Sequence, residues 1–83
     1  MTARGAELEA RSRLDAALIA AHAAEDWQRL VGLYAEAADD AHVQGQIDAA
    51  CFYLTHAYVF ALQTGDPCAD ELHRRLMDHG REE

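Results

Sequence analysis

The chain has 83 residues, 51% of them apolar, which suits one small folded domain and is too much for a disordered segment. Fifteen acids against seven bases give a net charge of −8, and every base is an arginine. With no cluster of four or more bases to offset that charge locally, a nucleic-acid partner or an anionic membrane surface is disfavoured.

Alanine is abundant and proline occurs once, at Pro67, so the backbone preference is helical throughout. The pattern predicts four helices, at about 6–24, 26–43, 46–63 and 67–79, in a single domain over 1–83. The first opens with "MTARGAELEARSRLDAALIAAH", in which charges persist to Asp15; this is unlike the apolar core of a signal peptide. Glu7–Arg11 and Glu9–Arg13 are spaced as surface ion pairs on that helix. The cysteines, Cys51 and Cys68, stand in no metal or redox spacing, so reduced thiols and a cytoplasmic setting are expected.

Helix two is cleanly amphipathic. Trp27, Leu30, Val31, Leu33, Tyr34, Ala37, Ala38 and Ala41 share one side, opposite Gln28, Arg29, Glu36, Asp39 and Asp40. Helix three is apolar over more than half its circumference, taking in Ala49, Ala50, Cys51, Tyr53, Leu54, Ala57, Tyr58, Phe60, Ala61 and Leu62. It is too short to span a bilayer of roughly 20 residues, and it holds Asp48 and His56. Its remaining strip contains Asp48, Thr55, His56 and Gln63, yet also Phe52 and Val59. Helix four breaks the pattern, with Arg74 where an apolar residue is expected, and reads as a polar cap.

Turn signals recur every twenty residues: "AEDW" at 24–27, "QGQI" at 44–47 and "TGDP" at 64–67. Gly45 and Gly65 suit the left-handed position that closes a helix. Asp26 and Asp66 suit the start of the next, with Pro67 at a first helical position. Leu14, Tyr34 and Leu54 keep the same beat, as do Ala17, Ala37 and Ala57, and Ala21, Ala41 and Ala61. Repetition of this kind marks stacked helical hairpins, and connections this short make neighbours antiparallel.

The stretch "EDWQRLVGLYAEAADDAHVQGQ", with Trp27, Leu33, Tyr34, Ala37, Ala41 and Gly45, resembles the second helix of a tetratricopeptide (TPR)-type repeat. "GQIDAACFYLTHAYVFAL" repeats its logic with Ala50, Leu54, Ala57 and Ala61. The two-helix period is about forty residues rather than the usual thirty-four. The resemblance implies four antiparallel helices stacked as two TPR-like hairpins, and a protein-binding role. The alternative architecture is an up-down four-helix bundle.

Candidate chemistry is sparse. Cys51 and His56 point about 140° apart on one helix, so no thiol–imidazole pair forms within it, and Cys51 reads as core. Asp39-x-x-His42 and Asp70-x-x-His73 echo a di-iron spacing, but Asp39 points away from the apolar stripe and no inward carboxylate completes a set. His22, His56, His73 and His79 stand singly. Neither a catalytic residue, a metal nor a cofactor is therefore expected. The expected function is a non-catalytic protein-interaction module that self-associates as a homodimer, using Phe52, His56, Val59 and Gln63. Two alternatives stand beside it. Helix one could cover Phe52 and Val59 with Leu8 and Ile19, or the Tyr53/His56/Phe60 region could serve a small ligand-binding or enzymatic domain.

Overall fold

A computed structural model describes residues 3–80, with side chains described for residues 9 and 11–80. Four helices account for almost all of it: α1 (Ala3–Ala23), α2 (Trp27–Val43), α3 (Ile47–Thr64) and α4 (Ala69–Asp78). The fold is all-α, with four antiparallel helices stacked as two hairpins. No described helix is long and apolar enough to cross a membrane.

The twenty-residue beat is a recurring turn. The N–H groups of Asp26, Gln46 and Asp66 donate to the carbonyls of Ala21, Ala41 and Ala61, each at 2.9 Å. This six-to-one bond satisfies a helix-end carbonyl and needs a left-handed residue just before the donor. Gly45 (φ 75°) and Gly65 (φ 69°) supply it in the second and third turns, but Glu25 (φ 56°) supplies it in the first. The three alanines are buried because the chain folds back against them.

Helix starts differ more. Asp26 caps α2, its Oδ1 accepting the Arg29 N–H at 3.2 Å. Asp66 instead accepts the Cys68 N–H at 2.9 Å, and that bond holds its carboxyl below the usual carboxylate range. Helix α4 consequently begins at Ala69, and Pro67 lies in the turn before it rather than in the first helical position. Gln46 opens α3 without a side-chain cap.

Each helix packs on its sequence neighbours, α1 on α2, α2 on α3 and α3 on α4, while α1 and α4 do not approach. The stack is therefore open, not closed into a bundle. Alternate helices meet through side chains alone. His22 of α1 reaches Phe60 of α3, and Arg75 of α4 pairs with Asp39 of α2 at 2.6 Å. The result is a thin slab of 41 × 31 × 16 Å. Its core runs along α2, α3 and α4, through Val31, Ala38, Leu54, Ala57, Ala61, Leu72 and Leu76.

Helix α4 is more than a polar cap: Leu72 and Leu76 are buried against α3, while Arg74 is exposed. One wheel assignment fails at the margin. Leu62, placed on the inner arc of helix three, is 57% exposed. Trp27 is 37% exposed but keeps to the apolar side of α2, where it stacks on Phe60. Glu9 and Arg13 do not form the expected pair, the Asp39–Arg75 bridge being the one ion pair among the described residues. The Glu7 side chain lies outside them.

Candidate interaction face on helix α3

Among the described residues no other helix covers Phe52 and Val59 on the outer strip of α3. Phe52 is 59% exposed and Val59 45%, with Asp48, Thr55 and Gln63 exposed around them. Leu62 extends the strip along one edge. The described side chains of α1 do not cover it: α1 packs on α2, and Ile19 is 70% exposed. Leu8, the other residue expected to reach the strip, has its side chain outside the described residues.

His56 sits differently from its neighbours. Its Nδ1 lies 2.9 Å from the Phe52 carbonyl oxygen, which can only accept, so Nδ1 carries the proton and donates. The ring is stacked on Tyr34 with centroids 5.0 Å apart and touches Phe52 at 4.5 Å. The imidazole is thus turned inward and fixed, half-buried, beneath the strip. Thr55 donates its hydroxyl to the Cys51 carbonyl at 2.9 Å, which satisfies a polar side chain that would otherwise compete with an apolar contact.

Below this strip the rings form a continuous cluster. Tyr34 is its hub, in contact with Tyr53, His56 and Phe60 and hydrogen-bonded through its hydroxyl to His22 Nε2 at 2.9 Å. Burial, and secondarily the neighbouring Tyr53, pushes the Tyr34 phenol up from its usual range. Trp27 stacks on Phe60 almost parallel, 6° from coplanar at 5.6 Å. Tyr53, His56 and Phe60 are therefore brought together around Tyr34, each in contact with its ring. The opening they leave is a shallow apolar depression of about 220 Å³ bounded by Thr55, His56, Val59 and Phe60. A second cleft, of about 180 Å³, lies where α1, α2 and α3 meet, with Arg11, Leu14 and Asp15 of α1 beside Ala41 of α2 and Tyr53 of α3.

The other candidate groups are engaged elsewhere. Cys51 is buried and both cysteines are free thiols. Desolvation, with the nearby Asp66, pushes the Cys68 thiol up to about 11, so it stays protonated and a poor nucleophile at neutral pH. Asp39 is held by Arg75, and His42 meets His79 edge to face at 5.5 Å. His73 stacks on Tyr58 at 5.2 Å. Among the described residues no group of three His, Cys, Asp or Glu side chains is placed to hold a metal ion.

Two features were missed in the sequence. His22, read as an isolated polar residue, anchors the Tyr34 hydroxyl across helices. Leu62 was read as core, although the beat carried the contrary signal: its equivalents, His22 and His42, are polar, and all three are exposed. No protein-family model, curated protein or solved structure matches the chain.

Proposed function

We propose that this chain is a non-catalytic protein-interaction module of TPR-like construction that associates with itself through the outer strip of α3. One observation carries the reading. Phe52 and Val59 stand exposed on the most apolar helix, ringed by the polar side chains of Asp48, Thr55 and Gln63, with no other element over them among the described residues. An apolar centre with a polar rim is the make-up of an interface. The protonated Cys68 thiol, the buried Cys51 and the engagement of His22, His56 and His73 with tyrosine rings and of His42 with His79 support a non-catalytic reading.

Replacing Phe52 with Glu tests it. The side chain is mostly outside the core, so the variant should stay folded, with full helical signal and a stability within about 0.5 kcal/mol of wild type. It should sediment as a monomer at concentrations where wild type is a dimer. A wild type that remains monomeric at high concentration overturns self-association.

The ring cluster supports a second reading, a small-ligand site at Tyr53, His56 and Phe60. Trp27, the chain's one tryptophan, stacks on Phe60 and so reports on occupancy by its fluorescence. A saturable change with an aromatic or apolar ligand, abolished by Phe60→Ala, would favour this reading over the first.

A further inference from the structure

We infer that the cleft where α1, α2 and α3 meet binds a small zwitterion, a free α-amino acid with an apolar side chain. The cleft holds about 180 Å³ and shares only Tyr53 with the ring cluster. Pockets for drug-sized ligands start at roughly 300 Å³, so this one suits a molecule of amino-acid size. It is lined by charges of both signs, Arg11 and Asp15 from α1 and Asp40 from α2, together with apolar Leu14 and Ala41.

The three charges do not neutralise one another. Arg11 and Asp15 lie one turn apart on α1 with the base N-terminal to the acid, the weaker order for a helical pair. Among the described residues the one ion pair is Asp39–Arg75. Arg11 reaches instead to the α2–α3 turn, where its Nη2 donates to Gln44 Oε1 at 3.5 Å. Gln44 Nε2 in turn donates to Asp40 Oδ2 at 3.3 Å. An exposed side-chain amide thus stands between a guanidinium and a carboxylate. It gives each a long bond, where good geometry runs at about 2.9 Å.

An amino acid in place of that amide meets opposite charge at both ends. Its carboxylate faces the Arg11 fork, and its ammonium faces Asp40 and Asp15, whereas Gln44 offers each side only a dipole. Arg11 and Asp15 are about 6 Å apart along the helix axis, within the span of one such molecule. A simple cation would be opposed by Arg11, and a simple anion by two carboxylates in a chain of net charge −8. The ligand's side chain lies along Leu14, Ala41 and the Tyr53 ring. Because all three charged residues are exposed, water and salt screen their pull, and the Kd is about a millimolar at low ionic strength.

Titration of isotope-labelled protein with L-leucine, read through backbone amide shifts, tests the site. Saturable shifts are expected around Leu14, Ala41 and Tyr53. Leucinamide lacks the carboxylate and isocaproate lacks the ammonium, so each should bind about tenfold more weakly than leucine. Arg11→Gln should erase the preference for leucine over leucinamide, and Asp40→Asn should reduce that over isocaproate. Both positions are exposed, so each variant should keep the helical signal and urea midpoint of wild type. No saturable shift up to about 20 mM leucine overturns the site. Leucinamide binding wild type as tightly as leucine overturns the zwitterion in favour of a cleft that merely draws cations. A full preference for leucine surviving Arg11→Gln overturns the placement of the carboxylate on that residue.

Discussion

Leu14 in α1 and Leu54 in α3 occupy the same place in the twenty-residue beat, yet Leu54 is 1% exposed and Leu14 is only half-buried. The same holds one turn later, where Ala57 is fully buried and Ala17 is not. Position in the repeat fixes which way a side chain points. How much it buries depends on how many helices lie on that side. Helix α3 is packed by both α2 and α4, whereas α1 packs on α2 and meets α3 only through side chains. Of the described side chains of α1 only Ala21, at the turn, is buried. The first helix therefore rests mainly on backbone propensity and one seam, while α2, α3 and α4 form the cooperative core.

The sharpest way to break this contrast is the same truncation at both leucines. Leu54→Ala leaves a cavity among fully buried neighbours and should cost about 2–5 kcal/mol in urea unfolding. Leu14→Ala removes partly hydrated surface and should cost about 1 kcal/mol or less. Equal losses would mean that α1 is as tightly packed as α3. Hydrogen exchange offers an independent check, since α1 amides should exchange through local opening while those of α3 wait for global unfolding.

Enlarging the alanines sharpens the same point with the opposite change. Ala57 has no room at its crossing, so Ala57→Leu should cost about 1–3 kcal/mol by overpacking. Ala17→Leu faces a looser seam and should be close to neutral by the same urea measurement. A matching loss at both sites would show that the alanine stripe packs uniformly along the stack.

Much of this was legible in the sequence because helix periodicity and turn chemistry are local. The glycines at 45 and 65, the alanines at 21, 41 and 61 and the outward set of Phe52 and Val59 all follow from residues within a few turns of each other. The beat even assigns the strip outward without a wheel: Ser12, Gly32 and Phe52 are equivalent and all exposed, as are Ile19, Asp39 and Val59. What the sequence withheld depends on distant helices. The His22–Tyr34 hydrogen bond, the His42–His79 contact and the Asp39–Arg75 bridge join residues 12 to 37 positions apart, and no periodicity encodes them. The openness of the stack is of the same kind. It depends on whether α4 turns back onto α1, and connection lengths alone do not decide that.

The smallest effect expected tests the turn that departs from the beat. Glu25 holds a left-handed backbone that glycine holds in the other two turns. An L-residue there costs roughly 1–2 kcal/mol, partly offset because glycine loses more freedom on folding, by about 0.5–1 kcal/mol. Glu25→Gly should therefore stabilise the protein by about 0.5–1 kcal/mol, seen as a higher urea midpoint at unchanged slope. Removing a carboxylate from so acidic a chain also relieves repulsion, so Glu25→Gln is the control. It keeps the side chain's steric demand and should give less than half the gain. The reverse change completes the comparison. A Cβ at Gly45 would meet nothing within 4 Å, so Gly45→Ala probes the backbone alone. It should lose about 1 kcal/mol. A gain from Glu25→Gln equal to that from Glu25→Gly would assign the effect to charge and remove the first turn from the set. A neutral Gly45→Ala would mean that the left-handed turn is not what sets the beat.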